Sequence, residues 1–192
     1  MKKIGLTGGI GSGKTTISKV FELLGVPVYN SDEIGKKILK KDGLVQQKIK
    51  THFGKKILTN NEIDNKKLAN IIFKEKSKLK IINDIIHPLV KKDFKIWCER
   101  KNHSYIIKES ALLFKSDTYT ELDEIIFVKS PLELRKKRIL QRDEKTNSDI
   151  LSIIKNQSSD AFFEKKCDII IYNNETKFLI PQILKLHDKF IK

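Results

Sequence analysis

Residues 4–16 read IGLTGGIGSGKTT, and within them Gly8, Gly13, Lys14 and Thr15 fit G-x-x-x-x-G-K-[ST], the pattern of a phosphate-binding loop. The apolar run Ile4 to Leu6 predicts a strand. The spacing of Ile17, Val20, Phe21 and Leu24 predicts a helix that begins near Gly13 and stops at Gly25. Between the two, successive main-chain N–H groups converge on one small volume, where an anion binds. Glycine is needed because the loop takes positive φ angles and must approach phosphate oxygens with no Cβ in the way. The helix N-terminus adds roughly half a positive charge. The nucleotide-binding residues are therefore read as Gly8, Gly9, Ile10, Gly11, Ser12, Gly13, Lys14, Thr15 and Thr16. Lys14 is placed to reach the β and γ phosphates of ATP, and the Thr15 hydroxyl to ligate Mg2+.

A chain of 192 residues suits one α/β domain with a small insertion. The opening MKKIGLTGG puts glycines where a signal peptide has its apolar stretch, and no run approaches the ~20 apolar residues of a membrane helix. A cytoplasmic protein with no membrane partner is expected. Cys98 and Cys167 are far apart and lack metal-site spacing, so both read as ordinary thiols. The net charge of +15 and pI of about 9.7 raise the question of nucleic acid. Only Arg100, Arg135, Arg138 and Arg142 are arginines, and there is no basic tail, aromatic-interleaved basic patch or zinc-finger spacing. No nucleic-acid partner is expected; a lysine coat also suits polyanionic small molecules.

Beyond the first helix, Val26 to Tyr29 predicts a second strand running into Asn30, Ser31 and Asp32. Ligands of open parallel sheets sit at the carboxyl ends of strands, so Asp32 and the loop should share one cleft. Asp32 reads as a catalytic carboxylate, against the plainer alternative of a helix cap, for which Ser31 competes. Residues 43–103 repeat helical faces (Val45, Ile49, His52, Phe53; Leu68, Ile71, Ile72; Ile81, Ile82, Ile85, Ile86) and predict a helical insertion. Pro88 is expected to break or kink that run and restart it with Val90, Phe94 and Trp97. His87, just before it, is either a phosphate or substrate contact or a structural histidine.

Strands return at Tyr105–Ile107 and Ile125–Val128, and a last one is expected over Asp168–Ile171 before a closing helix from Pro181 to Ile191. Ser130, Pro131 and Glu133 predict a capping box. Arg135, Arg138 and Arg142 follow at i, i+3 and i+7 on one helix face, where forked guanidinium groups would grip phosphate oxygens or pair with acids such as Asp143. The polar segment EKTNSD at 144–149 reads as part of a lid around 141–150.

Taken together, LTGGIGSGKTT at 6–16, LGVPVYNSD at 24–32, HFG at 52–54, IHPLV at 86–90, ALLF at 111–114, Arg138 with Arg142 and Asp143, Gln157, and CDIIIYNN at 167–174 resemble the dephospho-coenzyme A kinase family. The resemblance implies a P-loop kinase core, a three-layer αβα fold with a five-stranded parallel sheet in the order 2-3-1-4-5. That core would span 1–42 and 104–192, and a coenzyme-A-binding insertion 43–103. It implies transfer of the ATP γ-phosphoryl group to the ribose 3′-hydroxyl of dephospho-coenzyme A. Asp32 would be the catalytic acid with Lys14, Arg142 and Arg138, while Asp32, His87 and Leu113 would contact the acceptor. Three positions depart from the family pattern: Asn30 and Lys115 stand where acids are usual, and Phe163 where a base is usual. Glu109, at its strand end, is the candidate substitute acid. Oligomeric state is not legible. The competing readings are another P-loop kinase of a nucleoside monophosphate or small metabolite, and a nucleotide-dependent nucleic-acid-binding protein. The latter is disfavoured by the lack of an N-K-x-D guanine motif.

Overall fold

The computed structural model describes residues 1–115, 117–143 and 146–192. Its main sheet has five parallel strands: β1 (Lys2–Thr7), β2 (Val28–Asn30), β3 (Tyr105–Glu109), β4 (Glu124–Lys129) and β5 (Ile169–Tyr172). Their order is β2-β3-β1-β4-β5, the order that the family resemblance implied. Ile4 pairs with Ile107 of β3, and Gly5 with Ile125 of β4, so the strand leading to the loop lies at the centre. Parallel strands are covered on both faces, which accounts for runs such as IIF and III in β4 and β5.

The helices in chain order are α1 (Lys14–Leu23), α2 (Ser31–Lys41), α3 (Gly43–Phe53), α4 (Asn65–Lys74), α5 (Lys76–Glu99), α6 (Leu132–Arg142), α7 (Asn147–Lys155), α8 (Asp160–Lys166) and α9 (Leu179–Ile191). The chain divides into two compact units, Met1–Asn30 with Arg100–Lys192, and Ser31–Glu99. In the first, α1 and α9 cover one sheet face: Ile17, Phe21, Ile183 and Phe190 pack with Ile4, Leu6, Ile107, Ile126 and Ile171. On α8, the buried Phe163 stacks on Phe127 of β4 at 5.0 Å. Phe163, where a base is usual, is thus a core residue of an aromatic layer.

The expected capping box at α6 does not form. The N-cap is Pro131, which has no side chain to donate or accept, and Ser130 stands one residue too early. Ser130 Oγ instead accepts from Arg138 Nη1 at 3.2 Å, and Glu133 pairs with Lys136 at 2.8 Å. Of the segment read as a lid, residues 144 and 145 lie outside the described residues. Thr146 caps α7, with a reciprocal box to Asp149.

The second unit is helical apart from a hairpin, Leu58–Thr59 with Glu62–Ile63, turned by Asn60 and Asn61 at φ 52° and 64°. Asparagine tolerates that left-handed conformation better than other side chains. Of the break or kink expected at Pro88, the break and restart are not seen: α5 runs through it. Proline in a helix interior costs about 3 kcal/mol. Ile82, Ile86, Val90 and Phe94 lie four residues apart and are all buried. At about 1.5–3 kcal/mol for each, their burial outweighs the proline. No helix among the described residues is long and apolar enough to cross a membrane.

Candidate active site

The loop leaves the carboxyl end of β1 and enters α1 with Gly11 and Gly13 at φ 76° and 94°. Side chains rarely adopt that region, and a Cβ on Gly13 would also sit 2.2 Å from Asn173 Nδ2. Ser12 N–H donates to Gly9 O at 3.2 Å, closing a turn within the loop. Lys14 folds back over it: Nζ donates to Gly8 O at 2.8 Å and Gly9 O at 3.3 Å. The first-turn N–H groups of α1 lack intrahelical partners, and no acidic residue in that turn offsets their field. The result is a cationic cradle at the carboxyl edge of the sheet.

Glu109 closes one side of it. This last residue of β3 is buried, and its carboxylate accepts from Thr15 Oγ1 (3.0 Å), Ser18 Oγ (2.8 Å) and Asn30 Nδ2 (3.2 Å). Three neutral donors hold a buried carboxylate beside the hydroxyl expected to bind Mg2+. One hydroxyl and one carboxylate leave most positions of an octahedral ion to water and phosphate oxygens, as Mg2+ prefers. The donor set therefore fits that ion.

The three arginines of α6 have separate surroundings. Arg135 is 5% exposed and turned onto the loop: its Nε donates to Ile10 O at 2.9 Å, and Nη1 meets Asp160 Oδ1 at 3.2 Å. Burial lowers its pKa, while the Asp160 charge works in the opposite direction. Arg138 is half-buried and donates through Nη2 to Asn173 Oδ1 at 3.1 Å, and Asn173 Nδ2 in turn donates to Ser12 O at 2.7 Å. Arg142, at the exposed end of α6, donates to both oxygens of Asp143 at 2.7 and 3.0 Å, which raises its pKa. Arg138 is thus one residue removed from the loop, and Arg142 faces solvent.

Leu113 is 1% exposed and packs beneath the sheet, its Cδ2 lying 3.0 Å from where a Cβ on Gly5 would be. Asp32 and His87 belong to the second unit, in the first turn of α2 and within α5. Asp32 is exposed and follows by two residues Asn30, whose side chain is held by Glu109.

Several loop contacts were not visible as such in the sequence. Gln157 Oε1 accepts from Ile10 N–H at 2.8 Å, and Asn173 and Arg135 also hold loop carbonyls. Gln157 and Asn173 lie in stretches that carry the family resemblance, a signal of importance without a role. Ser18 is one helical turn past Thr15 and so shares its face.

A family model described as dephospho-CoA kinase matches residues 2–178. The dephospho-CoA kinase of Fusobacterium nucleatum subsp. nucleatum is 44% identical over 172 residues, covering 89% of this chain and 89% of that protein. That of Bacteroides fragilis (strain YCH46) is 40% identical over 188 residues, 96% of this chain and 90% of the relative. Among solved structures, the dephospho-CoA kinase from Campylobacter jejuni aligns with a TM-score of 0.69 at 28% identity, covering 100% of this chain and 98% of the other.

Proposed function

Because the chain belongs to the dephospho-CoA kinase family, we infer that it transfers the γ-phosphoryl group of ATP to the ribose 3′-hydroxyl of dephospho-coenzyme A. The observation that carries the reading is the loop itself, with Lys14 Nζ held over it and Thr15 bonded to Glu109. ATP would bind with its phosphates on the first-turn N–H groups of α1. Lys14 would exchange the Gly8 and Gly9 carbonyls for phosphate oxygens. Thr15, positioned by Glu109, would hold Mg2+, which supplies charge neutralisation across the β and γ phosphates.

Asp32 would orient the 3′-hydroxyl and accept its proton as that oxygen bonds to the γ phosphorus. The bond from that phosphorus to the β–γ bridging oxygen breaks, and ADP leaves with the electron pair. Arg138 and Arg142 would stabilise charge spreading over the transferred group, Arg142 after exchanging Asp143 for phosphate. The helical segment 43–103, rich in lysine, would receive the anionic acceptor, with His87 and Leu113 on the acceptor side. Cys98 and Cys167, both thiols and not disulfide-bonded, accord with a reducing, cytoplasmic setting.

The test is an acceptor panel with ATP and Mg2+: dephospho-coenzyme A, AMP, CMP, shikimate and gluconate. Stoichiometric ADP release with the first alone is expected. Turnover confined to any of the others would overturn the assignment.

A further inference from the structure

Lys14 braces the loop from inside through the Gly8 and Gly9 carbonyls, and those are the contacts it must release to reach ATP phosphates. A loop with three glycines at positive φ (Gly8, Gly11 and Gly13) then needs support that does not compete with the nucleotide. Ile10 supplies the place for it. Its N–H donates to Gln157 Oε1 at 2.8 Å, and its carbonyl accepts from Arg135 Nε at 2.9 Å. Two consecutive peptide planes, Gly9–Ile10 and Ile10–Gly11, are thereby fixed.

The two anchors come from separate parts of the chain. Arg135 is the fourth residue of α6. Gln157 lies in the turn between α7 and α8, where its own N–H donates to Ile154 O at 3.0 Å. The guanidinium of Arg135 also lies flat against the loop: a Cβ on Gly9 would stand 1.9 Å from Nη2 and 2.3 Å from Cζ. Asp160, the first residue of α8, holds its far end. A lysine has one donor atom and no plane, so it could not bond Ile10, stack on Gly9 and pair with Asp160 together.

We propose that Arg135 and Gln157 are positioning residues for the phosphate loop, clamping Ile10 from opposite sides so that the loop keeps its nucleotide-binding shape when Lys14 turns to ATP. The proposal rests on the kinase reading for its reaction, but its effect falls on the ATP half of the site. Preorganised donors stabilise a developing charge without reorganisation when reaction occurs. Without the clamp, part of the ATP binding energy goes into ordering the loop.

The test uses three variants of the full chain. Arg135→Met and Gln157→Met remove the hydrogen bonds at similar volume, and Arg135→Lys keeps the charge opposite Asp160. MgADP affinity by titration calorimetry is read beside kcat and the two KM values. Each variant should weaken MgADP and raise KM for ATP roughly tenfold, equivalent to about 1.4 kcal/mol, while KM for dephospho-coenzyme A stays within about twofold. Because both anchors act through Ile10, the double variant Arg135→Met/Gln157→Met should lose less than the product of the single effects.

Wild-type MgADP affinity in folded Gln157→Met or Arg135→Lys would overturn the proposal. So would a parallel rise of both KM values, the mark of general loosening. Should Arg135→Met leave Asp160 unpaired and fail to fold, the other two variants still decide. MgADP binding needs no acceptor, so failure of the clamp is distinguishable from failure of the acceptor assignment.

Discussion

Thr15 Oγ1 donates to Glu109 Oε1 at 3.0 Å, joining the first turn of α1 to the end of β3 beside the central strand. Thr15, Ser18 and Asn30 all donate to that carboxylate, and of the three only the Asn30 NH2 has no acceptor capacity of its own. Glu109→Gln would turn one acceptor into an NH2, so that the Thr15 hydroxyl has to turn round and accept or the Asn30 amide loses its acceptor, at a cost of about 1 kcal/mol. If Glu109 also aims Thr15 at Mg2+, the variant should need more Mg2+ for half-maximal turnover and show a lower kcat at saturation. Mg2+ titrations of turnover, run beside urea unfolding, separate the two effects. Lost stability with an unchanged Mg2+ response would make Glu109 a purely structural acceptor.

Lys14 and Asp32 should fail in different ways. Lys14→Ala removes the charge that meets the phosphates and the brace on Gly8 and Gly9, so turnover should fall by at least about 100-fold and nucleotide binding should weaken. Asp32 is exposed in the first turn of α2. Asp32→Asn should keep MgATP affinity near wild type and remove most phosphorylation of dephospho-coenzyme A. Near-normal turnover of Asp32→Asn would reduce that residue to a helix-terminal charge.

What the sequence disclosed and what it hid divide along a physical line. The loop, β1 and α1 were legible within residues 4–25, because glycine placement and helical spacing are local. The sheet order came with the family resemblance, since periodicity does not say which strands are neighbours. The contacts on Ile10 and Ser12 span 125, 147 and 161 residues of chain, a distance no spacing rule crosses. Helical periodicity put Arg135, Arg138 and Arg142 on one face, but that face is broad. Its inner edge packs on the loop and its far end meets solvent. The helix restart expected at Pro88 failed for a related reason: the local penalty was legible, and the buried stripe that outweighs it depends on the packing of the whole unit.

At the amino end of β3, Tyr105 is 2% exposed, its hydroxyl hydrogen-bonded to His187 Nδ1 at 2.7 Å. Burial raises its pKa above the ordinary value. A group whose pKa is raised on folding keeps the proton that the unfolded chain gives up, so its contribution is complete below about pH 10 and is lost as the pH climbs further. Tyr105→Phe should cost about 1 kcal/mol at pH 7 through the lost hydrogen bond. Above pH 10 the gap between wild type and variant should close by up to about 1.4 kcal/mol per pH unit. Urea midpoints at pH 7, 10 and 11 check this, and a gap independent of pH would show that the hydroxyl ionises in the fold.

Cys167 should be a slow thiol. Burial, aided by the negative charge of Asp168, pushes its pKa up to about 12. The thiolate is the reactive form, so at pH 8 its alkylation should be roughly a thousandfold slower than that of an unperturbed cysteine and should quicken about tenfold per pH unit. Iodoacetamide labelling followed by peptide mass mapping distinguishes it from Cys98. Fast labelling of Cys167 at pH 8 in the native protein would contradict the environment described.

Gly9 offers a test of the loop that leaves both clamp residues in the sequence and acts on Arg135 by contact. It is absent from the positive-φ residues, so alanine suits its backbone, yet the added methyl would meet Arg135 Nη2, Cζ and Nη1 at 1.9, 2.3 and 2.8 Å. Those atoms end a flexible side chain, but here they are buried and tied to Ile10 and Asp160. To admit the methyl, the guanidinium has to leave one or both partners, at a cost of about 1–3 kcal/mol. Gly9→Ala should therefore lower MgADP affinity much as Arg135→Met does. Placed in the Arg135→Met background, it should add little, because the group it displaces is already gone. Full additivity of the two substitutions would mean that the methyl acts on the loop directly and that the guanidinium only fills space.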